Sequence, residues 1–224
     1  MYILYWNPRS SSQAPMAVLD ELGLDYRLQL VDMEAGECDT PEYRAIQPLG
    51  LVPALGLPGG GSMFESAAIV QYLADNHGDG ALAPLQQSTG RAQYLQWMHY
   101  LSGTIYPTYN RYFWPAHYSA TSAGRDEIRS HVAGIVLSQW QVIEDALQRA
   151  GPWLLGQTFS TADIYLQMMT TWHRDPADLL ARFPCIRKLA QAIMARKACR
   201  RANELHGFDS GLLKSPEIPA TRIY

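Results

Sequence analysis

Cysteine is scarce in this chain of 224 residues: Cys38, Cys185 and Cys199 are odd in number and far apart. They make neither a CxxC pair nor a zinc pattern, which argues against a dithiol redox centre and fits a reducing cytoplasm. Cys38 falls in a polar loop, open either to a mixed disulfide or to no chemical role. His77, His99, His117 and His131 lie in no ligand spacing, so no metal is expected. A run of about 18 apolar residues is missing, which speaks against a membrane span. The start "MYILYWNPRSSS" lacks a basic segment followed by a long apolar stretch, so no secretory signal is expected. Charge of either sign is modest. The 18 Lys and Arg against 21 Asp and Glu leave a net charge of −3, which does not suit nucleic acid as a main partner. The basic string "RKACRRA" therefore reads as a solvated helix face. No G-x-S-x-G elbow points to a hydrolase.

The chain is long enough to bury a real core as one large or two small domains. "YILYW" (Tyr2 to Trp6) reads as a strand closed by the Asn7-Pro8 turn signal. A helix follows, with Met16, Leu19 and Leu22 on one side and Gly23 at its C-terminal end. "YRLQLVDM" (Tyr26 to Met33) alternates as a second strand, parallel to the first. A short helix near "PEYRAI" and a third strand, "LVPALGL" (Leu51 to Leu57), come next. Gly59 to Gly61 turn into a fourth strand, "SMFES", and then the helix "SAAIVQYLADNHG". This β–α–β–α–β–β–α order is that of a thioredoxin-like sheet.

Beyond residue 80 the period becomes helical throughout. Helices are expected over Thr89 to His117, Arg125 to Ala150, Thr161 to Trp172, Pro184 to Met194 and Lys197 to Leu205. The fold class is thus an α/β thioredoxin-like N-terminal domain, residues 1–79, plus an all-α C-terminal domain, residues 89–207. Residues 80–88 read as a linker and 208–224 as an extended surface tail.

Four features invite a chemical reading. Ser10, Ser11 and Ser12 stand at the mouth of the first helix, where a hydroxyl serves as cap or catalyst. Pro53 lies early in a strand, where a missing N–H needs a reason. A cis bond after Val52 would turn that backbone outward to pair with an extended peptide, whereas a trans proline at an edge or in a loop is the alternative. Glu65 and Ser66 sit where a strand meets a helix, a place for an ammonium beside an anion, or for a plain cap with a solvated acid. Ser160 with Asp163 forms an S-x-x-D capping box, assigned to folding alone.

The serine-rich helix mouth, "LVPAL", "FESAAIVQYLAD" and the "GQTFSTADI" box occur in an order and spacing that resemble a cytosolic glutathione transferase, the resemblance running from Met1 to about Gly207. The start "NPRSSSQAPMAVLDELGLDY" is most similar to the bacterial beta-type and theta-like branch. The resemblance implies the glutathione transferase fold, glutathione as co-substrate, no metal, and a cytoplasmic, detoxifying two-fold homodimer. It implies that Val52, before cis-Pro53, pairs with the cysteinyl backbone of glutathione, and that Glu65 and Ser66 hold its γ-glutamyl end. The thiol would lie at Ser11, or at Ser10 or Ser12 if the register slips by one. Leu51 stands where many relatives carry Lys or Gln, and Tyr106 where beta-type relatives often carry histidine. Tyr106 and Tyr109 are expected to line the electrophile pocket, with Trp172 and His173 either reaching the same cleft or serving as ordinary core and surface. The leading function is thiolate transfer to a small hydrophobic electrophile. A non-catalytic protein acting through protein partners and a glutathione-dependent reductase are the alternatives.

Overall fold

A computed structural model describes residues 1–208, so the tail expected from residue 208 lies, beyond Phe208, outside the described residues. The first half runs β1 (Tyr2–Trp6), α1 (Gln13–Glu21), β2 (Tyr26–Leu30), α2 (Pro41–Arg44), β3 (Ala54–Gly56), β4 (Ser62–Phe64) and α3 (Ser66–His77). The sheet order is β2-β1-β3-β4, with β1 parallel to β2 and β3 antiparallel to both β1 and β4. Leu4 and Leu55 are fully buried in one core with Met16 and Leu19 of α1 and Ile69 and Leu73 of α3. Gly23, at φ 61, takes the left-handed turn that ends α1. The third strand is shorter than its apolar run. Pro53 has no N–H to donate, so the ladder begins only at Ala54.

The helical half comprises α4 (Arg91–Tyr100), α5 (Tyr106–Phe113), α6 (Ser122–Ala150), α7 (Thr161–Thr170), α8 (Pro176–Arg182), α9 (Pro184–Met194) and α10 (Lys197–Leu205). One helix was expected from Thr89 to His117; instead a π-helical turn over Leu101–Ile105 divides it. Pro107 is the physical reason, since it cannot donate to the carbonyl four residues back and its ring crowds that carbonyl. The wider turn changes the helical phase of everything after it, Tyr106 included. Helix α8 was not anticipated from sequence. Its signal is local: Asp175 accepts the Asp178 N–H and Pro176 occupies the first turn.

Buried polar contacts tie the halves together and also brace the helical half internally. Arg91 grips Asp75 with two bonds of 2.6 and 2.7 Å and also reaches the Pro84 carbonyl. Glu144 on α6 accepts the first N–H groups of α9, from Cys185 at 2.8 Å and Ile186 at 3.0 Å. Glu144→Ala strands two helix-end donors and should cost about 2 kcal/mol, read from the urea midpoint.

The basic string near the C-terminus does more than the sequence indicates. Lys197, Arg200 and Arg201 are exposed as expected, but the face is also tethered: Arg196 bonds Glu21 through two nitrogens, and Arg201 bonds Asp20 at 2.6 Å, clamping α10 onto α1. Cys199 is buried beside Glu21, and burial pushes its thiol up to about 12. Just past α10, His206 is fully buried against Trp6, with Nε2 3.5 Å from the Ser12 hydroxyl. Burial lowers its ring to about 3, below the 6.5 of an open histidine. The unfolded chain therefore binds a proton that the native state refuses, and stability from this group is lost as pH falls below about 6.5. His206→Leu removes that loss. Between pH 7 and 5 the variant should gain about 2 kcal/mol relative to wild type, by urea unfolding at both values.

Candidate functional site

The loop from β1 to α1 turns through Arg9, at φ 57, and delivers the three serines to different tasks. Ser10 donates to the Asn7 carbonyl at 2.7 Å and meets the Ser12 hydroxyl at 2.6 Å. Ser12 faces the buried His206. Both hydroxyls are thus spent inside the protein. Ser11 has one side-chain partner among the described residues, the Tyr106 phenol, which donates to its Oγ at 3.1 Å. The Ser11 proton is left uncommitted.

A neighbouring serine was expected to cap α1, and Ser10 comes nearest to it, its Oγ accepting the Ser12 N–H at 3.3 Å. Ser12 occupies the N-cap position but already has helical backbone angles, φ −70 and ψ −12, and makes no side-chain capping bond. A capping hydroxyl needs extended backbone to reach the N–H groups ahead of it.

The Val52–Pro53 peptide is cis. Val52 packs its side chain with Cys38, Tyr43, Val31 and Met33 in a small second core. Among the described residues nothing hydrogen-bonds its backbone N–H or C=O. Burial first, then the Asp39 charge, pushes the Cys38 thiol above its ordinary value, which fits packing better than exchange chemistry. Leu51 is 42% exposed and offers no charge. Arg44 nearby is already bonded to Asp39 at 2.6 Å and to the Pro48 carbonyl at 3.0 Å.

Glu65 opens α3 at φ 70, a left-handed angle that costs a non-glycine residue about 1–3 kcal/mol. Its side chain is exposed, while the next residue, Ser66, is buried and meets the Tyr165 phenol at 2.8 Å. Burial first, and the Glu65 charge to a lesser degree, push the phenols of both Tyr106 and Tyr165 above their ordinary value. The negative charge of Glu65 thus acts on the phenols that bond Ser11 and Ser66.

Tyr106 is partly buried and packs edge-on against the buried Trp172, ring centroids 4.8 Å apart. Tyr109 departs from expectation. It is 2% exposed, and its hydroxyl accepts from Trp140 Nε1 at 2.8 Å and bonds His173 Nδ1 at 3.0 Å. Burial lowers the His173 ring, and the Trp140 indole, the Tyr109 hydroxyl and the His173 ring form one continuous polar chain. Tyr109 borders a cavity of about 180 Å³ with Tyr112, Val136 and Leu137, and neither Ser11 nor Tyr106 lines it. Helix α5 turns Tyr109 toward α6 and away from the serine loop.

Tyr165 was missed from sequence. It lies in "ADIYLQMM", every residue of which is buried, and nothing in that string separates a tyrosine with a bonded hydroxyl from ordinary packing. No three His, Cys, Asp or Glu side chains gather to hold a metal ion among the described residues, and no helix there is long and apolar enough to cross a membrane.

Known proteins share this fold. The N-terminal domain of glutathione S-transferases matches residues 10–76 and their C-terminal domain residues 110–200. The glutathione S-transferase GstA of Escherichia coli O157:H7 is 30% identical over 75% of this chain and 81% of its own length. The disulfide-bond oxidoreductase YfcG of Escherichia coli K12 is 31% identical over 90% of this chain and 94% of its own. A glutathione transferase homologue from Sulfitobacter, solved with bound glutathione, superposes with a TM-score of 0.83 at 27% identity, covering 92% of this chain and 98% of that one. With its four-stranded sheet and helical second half, the chain belongs to the glutathione S-transferase family.

Proposed function

We propose that the protein binds glutathione and transfers its thiolate to a small hydrophobic electrophile. The observation that carries this reading is Ser11: a hydroxyl at a helix mouth whose one bonded neighbour donates to it, leaving its proton for an incoming sulfur. Val52 supplies an unpaired backbone N–H and C=O, as an extended cysteinyl unit requires. Glu65 would take the γ-glutamyl ammonium, and Ser66 with the α3 N-terminus the carboxylate. Residues 1–79 then form the glutathione unit, and residues 89–207 face the electrophile.

A free thiol of this kind ionises near pH 8.5, so only a few per cent is thiolate at neutral pH. The Ser11 hydrogen bond and the α1 N-terminus both favour the charged form. The thiolate attacks an electrophilic carbon, a C–S bond forms, and a leaving group such as chloride departs with the bonding pair. The thiol proton goes to solvent.

Reduction of a disulfide by glutathione is the second reading, favoured by the similarity to YfcG. No cysteine occupies the helix mouth, so both thiols would come from two glutathione molecules. Calorimetry with glutathione, then turnover of a chlorodinitrobenzene-type acceptor and of a small disulfide, separates the readings. Absence of glutathione binding rejects both. Binding with no turnover of either points to a protein that acts through protein partners. The same reading makes the protein a cytoplasmic, detoxifying homodimer with no metal and no nucleic-acid or membrane partner, and sedimentation equilibrium tests the dimer.

A further inference from the structure

Two phenols cross from the helical half to the sheet half, and both end on serines at helix N-termini. Tyr106, the first residue of α5, donates to Ser11 at the mouth of α1. Tyr165, within the wholly buried α7, bonds Ser66, the first residue of α3, at 2.8 Å. Ser66 is Tyr165's single side-chain partner among the described residues.

A serine hydroxyl carries one proton and two acceptor sites. When a neighbouring O–H fills one acceptor site, the serine proton is free to point elsewhere. Chains of this kind also strengthen one another in a buried setting. For Ser11 the geometry already makes the phenol the donor. For Ser66 either oxygen serves as donor in the unliganded arrangement. An anion at the α3 N-terminus draws the Ser66 proton toward itself, and the Tyr165 proton then has Ser66 Oγ as its acceptor. Burial keeps both phenols protonated, since it is the largest cause raising each of them. Trp172, edge-on to Tyr106, holds that ring in place.

We propose that Tyr106 and Tyr165 are paired positioning residues, each donating to one serine and so aiming that serine's own proton at one anionic group of glutathione. Tyr106 acts through Ser11 on the thiolate, and Tyr165 acts through Ser66 on the γ-glutamyl carboxylate. The helical half thereby sets the direction of hydrogen bonding in a site that the sheet half contains. This inference rests on the glutathione reading above.

The test uses the full chain with Tyr106→Phe and Tyr165→Phe, which keep the rings and remove only the hydroxyls. Thiolate absorbance of bound glutathione, calorimetric binding and steady-state turnover are measured for each. Tyr106→Phe should lower kcat about three- to tenfold and move the bound-thiol titration upward, with glutathione affinity nearly unchanged. Tyr165→Phe should weaken glutathione binding about three- to tenfold and leave the bound-thiol titration in place. Each phenylalanine should add nothing further once its own serine is alanine, because the tyrosine acts through that serine. Variants that shift both quantities alike, shift neither, or act additively with the serine changes overturn the pairing while the glutathione reading stands. Wild-type protein that does not bind glutathione overturns that reading and the pairing with it.

Discussion

Ser11→Ala is expected to lower turnover about 10- to 100-fold and to raise the titration of bound glutathione thiol by about 1–2 pH units. The size follows from what is lost. A hydrogen bond to a charged acceptor contributes about 1.5–3 kcal/mol, and a thiolate in a partly enclosed helix mouth has few other donors. Affinity for glutathione should change much less, since Val52, Glu65 and Ser66 hold the rest of the tripeptide in this reading. A stopped thiolate-absorbance titration reads the ionisation, and kcat against KM separates it from binding. Ser10→Ala and Ser12→Ala serve as comparisons. Their hydroxyls bond Asn7, one another and His206, so these changes should act on stability and on the shape of the loop. An unchanged thiol titration in Ser11→Ala would reject Ser11 as the sulfur's partner.

Asp163→Ala should be the most destabilising single change outside the site, at about 3–5 kcal/mol. Its fully buried carboxylate accepts from the N–H groups of Leu154 and Ser160, both at 2.8 Å, and from the Ser160 hydroxyl at 3.3 Å. Alanine strands two buried backbone donors, one at the N-cap of α7 and one in the loop before it, and α7 is a helix on which both α1 and α9 pack. Ser160→Ala loses only a hydroxyl and should cost about 1 kcal/mol. A loss of 3–5 kcal/mol is a large part of the 5–15 kcal/mol typical of a folded domain, so reduced soluble yield is expected as well as a lower urea midpoint. The cost also depends on pH. Burial pushes the Asp163 carboxyl up to about 7 despite the bonds it accepts, against a reference of 3.8. The native state therefore keeps a proton that the unfolded chain releases. Stability from this group is full below about pH 4 and is lost as pH rises toward 7, opposite in sign to His206. The penalty of Asp163→Ala should thus be larger at pH 5 than at pH 8.

Much of the fold was legible because its signals are local. Strand β1 and the last two helices, α9 and α10, carry their own periods and begin and end where the sequence indicates. The Ser160–Asp163 pair announced α7 by spacing alone. Where the reading failed, the missing information was non-local or lay in one backbone atom. Pro107 divided an apparently continuous helix because its missing N–H outweighs an unbroken apolar pattern. The basic string near residue 200 is exposed as read, but its ion pairs were not legible because the acidic partners, Asp20 and Glu21, lie about 180 residues earlier in the chain.

The serine triplet divides along the same line. By itself the sequence determined that hydroxyls, and no thiol, stand at the mouth of the first helix. It also placed a proline after Val52 and set an acid and a serine at the start of α3. These are statements about residue type at a local position, and local backbone preferences are enough to make them. Only the tertiary structure decided which hydroxyl is free. His206 arrives from the far end of the chain and takes Ser12 as its neighbour, Ser10 closes on Asn7, and Tyr106 crosses from the helical half to Ser11. It also turned Tyr109 inward and brought Tyr165 to Ser66. A hydroxyl's role depends on which neighbour donates to it, and those neighbours are adjacent in space while separated by about 100 to 200 residues in the chain.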